Sequence, residues 1–360
     1  MSRNPYRSLP PTSFWKRAVA TPKPSELDPM ISAAFKIRPS DKVATAGSCF
    51  AQHIARHLKK SGFCYFVAED AHSIMRPEIA AAYNYGTYSA RYANLYTTRQ
   101  LVQLFQRAYG TFQPSEDIWR DPKGHFIDPF RPEIQPGGFA TEAEYWADRR
   151  QHLAAVRRIF DELDVFVFTL GLTECFWSKN DGAVFPVCPG VSGGEFNASR
   201  HEFHNFDVNE VLGDLIEFID LLRSVNPKAK VLLTVSPVPL VATAEPRHVL
   251  VSTTYSKSVL RVAAEMATKA RPDVAYFPSY EIIIGSYNRG AYFHADLRSV
   301  TEEGVEHVMR TFLRHYTEGS RARAAPAQSE ADAAAASHKE RMSELLKVNC
   351  EEEALERDAS

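Results

Sequence analysis

Four short runs of apolar, mostly β-branched or aromatic residues punctuate the chain: 42–46 (KVATA), 164–170 (DVFVFTL), 230–235 (KVLLTV) and 274–277 (VAYF). Runs this short and this continuously apolar predict strands of a parallel sheet covered on both faces. Each is followed closely by small or turn-forming residues, Gly47-Ser48, Gly171, Ser236-Pro237 and Pro278-Ser279. Between the runs the period changes to that of a helix. Phe50, Ile54 and Leu58 recur at i, i+4 and i+8, and Gly62 stands where a C′ glycine closes such a helix. Leu101, Leu104, Phe105 and Ala108 form a second apolar stripe. Thr141 with Glu144 has capping-box spacing ahead of a helix running towards Leu163. Asp207 with Glu210 has the same spacing ahead of Val211, Leu212, Leu215, Ile219 and Leu222. Residues 256–270 and 301–316 predict two further helices. Strand and helix alternating in this way predict an α/β fold, a doubly wound parallel sheet with helices on both faces.

The alternation breaks between the first strand and Asp164, a stretch too long for one crossover. It offers one more strand, 63–67 (FCYFV), and the rest, about 69–160 and rich in Tyr, Pro and Gly, is expected to lie over the sheet as an insertion. A second, irregular insertion is expected over 177–206. One domain then covers 1–318. Beyond Glu318 the composition turns to Ala, Glu, Arg and Ser (RARAAPAQSEADAAAASHKE) with no core periodicity. Residues 319–360 are expected to be a solvated tail, disordered or partly helical, that buries little.

Composition narrows the function classes. The chain has 360 residues and a net charge of −2, without the basic excess that a nucleic-acid partner demands. Its five cysteines, Cys49, Cys64, Cys175, Cys188 and Cys350, are scattered and form no CxxC pair. That argues against a disulfide framework or structural zinc site and for a reducing compartment. No apolar run of signal-peptide length opens the chain, and none reaches transmembrane length. The protein reads as cytoplasmic.

Ligands of an open parallel sheet bind at the carboxyl ends of its strands. The first strand ends in Thr45-Ala46-Gly47-Ser48-Cys49-Phe50-Ala51. A serine between strand and helix holds its hydroxyl at the crevice, with helix N–H groups behind it able to stabilise an oxyanion. The plainer reading is that Ser48 caps the following helix. Cys49 is a rival nucleophile, since a helix N-terminus lowers a thiol pKa, although its place in the helix points it towards the sheet. His201 and His204, at i and i+3, are a weak hint of metal binding; otherwise the sequence offers no metal-ligand spacing.

Gly47-Ser48-Cys49-Phe50-Ala51 resembles the signature of the GSCFA family. Asn94-Leu95-Tyr96-Thr97, Thr169 to Glu174 (TLGLTE), Thr234 to Val238 (TVSPV), Tyr255-Ser256-Lys257 and Phe277 to Glu281 (FPSYE) resemble further blocks of it, in order along the chain. The resemblance implies a sheet of SGNH-hydrolase, flavodoxin-like type and a link to surface-polysaccharide biosynthesis. It implies an esterase or O-acyltransferase acting on an acylated glycan, with Ser48 as nucleophile. Such an enzyme requires no cofactor, although a transferase would draw on a donor such as acetyl-CoA. Gly47 belongs to the same signature, and the Ser48 and Gly171 N–H groups would form the oxyanion hole.

The sequence departs from that pattern in two places. The asparagine that usually completes the hole is replaced by Thr173-Glu174, with Asn94 a candidate substitute from the insertion. Glu174 could orient a substrate hydroxyl or pair with Lys257 or Arg298. Aligned on Asp296, the position of the usual base is Ser299, which cannot accept a proton at neutral pH. His294 in the same loop is then the first candidate base, with His201, His204 and His248 behind it. The alternative implied is a non-catalytic relative that uses the crevice to bind a sugar or sugar nucleotide.

Overall fold

A computed structural model describes residues 4–318 and 351–358. In chain order the elements are β1 (Val43–Gly47), α1 (Ala51–Lys60), α2 (Pro77–Ala82), α3 (Thr98–Ala108), β2 (Trp119–Arg120), β3 (Phe126–Ile127) and α4 (Glu142–Glu162). There follow β4 (Val165–Leu170), β5 (Glu174–Ser178), β6 (Val184–Phe185), β7 (His201–Asn205), α5 (Val208–Val225), β8 (Lys230–Val235), α6 (Val249–Ala270) and β9 (Val274–Tyr276). The last are α7 (Ser279–Ile284), α8 (Glu302–Tyr316) and α9 (Glu353–Asp358).

The four apolar runs form one parallel sheet in the order β1-β4-β8-β9. The register sets Gly47 beside Thr169 and Val165 beside Lys230. Residues 63–67 lie along the free edge of β1 but make a single bridge, Val43 to Tyr65, held by Phe66 N–H to the Val43 carbonyl at 2.8 Å. The spatial order is thus flavodoxin-like, with its outermost position irregular. Alternate strand residues enter two cores. Ala44, Phe166, Phe168 and Leu233 pack with α3, α4, α5 and α6, while Val43, Val165, Val167 and Leu232 pack with α1, α7 and α8. Helices therefore cover both faces, and the chain is a doubly wound α/β domain.

The capping signals act as the spacing predicts. Thr141 and Glu144 exchange hydrogen bonds of 3.2 Å each at the start of α4, and Asp207 and Glu210 do the same for α5. A third capping box, Thr97 with Gln100, opens α3. One expectation fails: 177–206 is not irregular. Its chain builds most of a three-stranded antiparallel sheet, β6-β5-β7, with Glu174 opposite Asn205 and Ser178 opposite His201. The first insertion is held by buried charge. Asp148 bridges Arg91 at 2.8 Å and Arg131 at 2.7 Å, Arg131 also meets Asp128 at 2.8 Å, and Glu69 accepts from His152 at 2.8 Å.

The tail also departs in part from the solvated reading. Residues 319–350 lie outside the described part, but Glu351, Glu352 and Ala354 are buried against the domain.

Candidate active site

The site begins with a turn that only glycine allows. At the end of β1 the chain must leave the sheet while still beside β4, and Gly47 does so at φ +127°. A Cβ there would lie 2.7 Å from the Thr169 nitrogen and 2.8 Å from its carbonyl carbon, and closer still to the oxygen. Ser48 follows, 3% exposed, with its N–H donating to the Thr169 carbonyl at 3.0 Å. Phe50, not Ser48, stands at the N-cap of α1, where no side chain makes a capping bond. Among the described residues the Ser48 hydroxyl has no hydrogen-bond partner, and neither have the buried hydroxyls of Thr169 and Thr173. Three unpaired hydroxyls at the carboxyl ends of two adjacent strands are costly in a closed interior and are what a polar ligand would satisfy.

The second wall comes from the insertion, which threads across the strand ends. The Leu95 N–H donates to the Gly47 carbonyl at 2.9 Å, and the Gly171 and Leu172 N–H groups share the Tyr96 carbonyl at 3.1 and 2.9 Å. A Cβ on Gly171 would sit 3.0 Å from both Ser48 Cβ and the Tyr96 oxygen, so the missing side chain is what admits them. Between these anchors Asn94 is fully buried. Its Oδ1 accepts from Gln52 Nε2 at 3.3 Å, and its Nδ2 donates to Glu351 Oε2 at 3.3 Å. A carboxylate oxygen facing it fixes the NH2 side of the amide outward, because that oxygen accepts. Lys257, buried in α6, donates to the Gly171 carbonyl at 2.7 Å.

Ser48, Gly47, Gly171 and Asn94 therefore converge as their sequence positions suggest. Gln52, Tyr96 and Lys257 join them without having been assigned to the site. Gln52 could have been noticed as a polar residue one turn after Ser48 on the buried side of α1, and Lys257 as a lysine within an apolar helix.

Other expectations are not met. The Ser48 and Gly171 N–H groups both carry backbone hydrogen bonds, so neither is open as an oxyanion donor in this arrangement. Asn94 Nδ2 is the donor that faces a carboxylate oxygen. Glu174 pairs with neither Lys257 nor Arg298; Thr243 donates to it at 2.7 Å and the Ala244 N–H at 3.3 Å. Burial raises its pKa above the ordinary carboxylate value, the hydrogen bond from Thr243 opposing. Thr173 lies beside it, its N–H held by Ser256 Oγ at 3.1 Å.

The 293–299 loop stands at the rim. Asp296 is exposed and accepts from the Ser299 hydroxyl at 2.5 Å and from the Arg298 and Ser299 N–H groups at 3.0 and 2.9 Å. Partial burial raises its pKa, but those hydrogen bonds, with the nearby His294 adding to them, outweigh it and hold the carboxyl below its ordinary value. His294 is exposed, and among the described residues no hydrogen bond or ion pair joins it to Asp296 or Ser48. Of the other histidines, His201 meets Glu116 at 2.9 Å, His204 meets Glu210 at 2.8 Å and His248 caps α6. Among the described residues no three His, Cys, Asp or Glu come together as a metal site, and no helix is long and apolar enough to cross a membrane.

The GSCFA family model matches residues 42–312. No curated protein matches the chain. Among solved structures, a serine-to-alanine mutant of an acetyl esterase with acetate ion is 10% identical, with a TM-score of 0.31 over 75% of this chain and 93% of its own. A carbohydrate esterase family 3 protein from Talaromyces cellulolyticus is 11% identical, with a TM-score of 0.30 over 76% of this chain and 94% of its own.

Proposed function

The chain belongs to the GSCFA family, and on that footing we propose that it is a serine esterase or O-acyltransferase acting on an acylated glycan through Ser48. The observation that carries this reading is the Ser48 hydroxyl itself, buried beside Gly171 at the carboxyl edge of the sheet and without a hydrogen-bond partner among the described residues. A merely structural serine after a strand would use that hydroxyl to cap α1, and this one does not.

In the proposed reaction Ser48 Oγ attacks the acyl carbonyl carbon, and Asn94 Nδ2 donates to the oxygen on which charge develops. The glycan oxygen leaves with a proton, and acyl-Ser48 remains. Water then gives the free acid, or a sugar hydroxyl gives a new ester; a net transferase would take its acyl group from a thioester such as acetyl-CoA. The Ser48 proton passes to His294, which requires the 293–299 loop to turn inward from its exposed position. Asp296 would then orient the imidazole.

A second reading has observations of its own: the engaged N–H groups of Ser48 and Gly171, and a His294 that, among the described residues, hydrogen-bonds neither Ser48 nor Asp296. These favour a crevice that binds a sugar or sugar nucleotide without turning it over. The two readings divide on Ser48→Ala, assayed on p-nitrophenyl acetate and a panel of acetylated oligosaccharides. The enzyme reading expects a loss of at least about a thousandfold in kcat. Equal turnover by wild type and variant, or none by either with glycan binding retained, would favour the binding module.

A further inference from the structure

The chain's own C-terminal segment packs against Asn94 and Tyr96 beside Ser48 and against Arg298. Glu351 and Glu352 are 2% and 6% exposed, unusual for two consecutive carboxylates. Both are answered by groups of the site. Asn94 Nδ2 donates to Glu351 Oε2 at 3.3 Å, and the Glu351 N–H donates to the Tyr96 hydroxyl at 3.1 Å. Arg298 Nη2 meets Glu352 Oε2 at 3.1 Å and its Nη1 lies 3.6 Å from Glu353 Oε1. Arg298 Nε also donates to the Pro239 carbonyl at 3.3 Å, which ties the guanidinium to the domain as well as to the tail. Ala354 completes the contact, 8% exposed.

We propose that Asn94 and Arg298 form a subsite for a carboxylate-bearing ligand at the mouth of the Ser48 crevice, and that Glu351-Glu352 occupies it as an intramolecular plug, with the Glu351 N–H seated on the Tyr96 hydroxyl. The Glu351 carboxylate engages the Asn94 amide assigned above to the acyl oxygen, while Arg298 takes the neighbouring charge. A substrate that displaces the tail must offer the same chemistry, which points to an acidic glycan, one with a uronate-type carboxylate near its ester. Being tethered through residues 319–350, the plug competes at a fixed effective concentration whatever the protein concentration. The inference rests on the Ser48 crevice being where ligand binds.

The test uses the full chain and the full-length double variant Glu351→Ala with Glu352→Ala, read in two ways. Hydrogen exchange reports the plug without any catalysis. In the wild type the amides of 351–355 and of 94–96 should exchange at least about tenfold more slowly than in the variant. The kcat/KM for p-nitrophenyl acetate should rise about tenfold or more in the variant, because only the unplugged fraction is competent. Equal exchange in the two proteins would overturn the plug whatever the activity. Slow exchange in the wild type with equal, measurable activity would place the tail off the productive path and overturn the inhibition. If neither protein turns over ester, the serine reading fails while the exchange result still decides the docking. For the acidic substrate, free galacturonate oligomers should speed exchange at 351–355 of the wild type and neutral oligomers should not; equal effects would overturn that part.

Discussion

Replacing Gly47 by alanine should strike the site and the fold at one point. Gly47 has φ +127°, where an L-residue carries strain of about 2 kcal/mol. The added Cβ would also collide with the backbone of Thr169, which β4 holds in register with β1 and β8 and which cannot swing away as a side chain could. Shifting backbone in a packed core costs about 1 to 3 kcal/mol more, so the total is about 3 to 5 kcal/mol. At about 1 to 2 °C per kcal/mol for a domain of this size, the melting temperature should fall by roughly 3 to 10 °C. Gly62→Ala is the matched control. Gly62 has φ +77° and nothing within 4 Å of the place a Cβ would take, so it isolates the conformational cost of about 1 to 2 kcal/mol. Urea denaturation of both variants, read at equal slope, gives the difference directly. A Gly47→Ala loss no larger than that of Gly62→Ala would refute the idea that close approach to β4 dictates the glycine.

Two further predictions concern proton chemistry. His294→Ala should lower turnover of any ester the wild type hydrolyses by about a hundredfold or more, while Ser299→Ala, which removes only a hydroxyl bound to Asp296, should cost little; wild-type rates in His294→Ala would remove it from the mechanism. Burial, with the charge of Arg131 adding to it, lowers the His152 pKa to about 4, below the ordinary value of 6.5. The unfolded chain therefore takes up a proton that the folded one refuses, and stability should fall as pH drops from about 6.5 towards 4. Burial would raise Glu69, but His152, Arg131 and the Arg91 N–H hold it at about 2, which extends the loss below pH 4.5. Denaturation midpoints at a series of pH values check this, and His152→Gln should flatten the profile between pH 6.5 and 4.

The scaffold was legible in the sequence for a physical reason. Strands buried on both faces cannot hide their apolar runs, and each of the four runs is a strand of the central sheet. Where burial is satisfied by charge or by hydrogen bonds, no period marks it. Glu69, Arg91, Arg131, Asp148 and His152 meet only once the insertion has folded, so apart from its two helices nothing in 69–160 announces how it is held. His201–Asn205 alternates too little to announce a strand, and gains its place from pairing with β5. Glu351-Glu352 looks like solvated tail because its carboxylates are met by Asn94 and Arg298, not by an apolar stripe. Ser48, Gly171 and Asn94 could be named from motif blocks. That the Ser48 N–H is spent on Thr169 follows from the β1–β4 ladder, and that of Gly171 on Tyr96 from how the insertion threads the strand ends, which no local pattern records.

The enzyme reading of the crevice depends on Ser48 being an activatable nucleophile, and covalent labelling tests that without a known substrate. The full-length protein and its Ser48→Ala variant are treated with a fluorophosphonate, and the site of attachment is mapped by mass spectrometry of peptides. One label per chain is expected, on Ser48, and none on the variant. An unlabelled wild type under conditions that label a control esterase, or a label on any other residue, would contradict the nucleophile assignment.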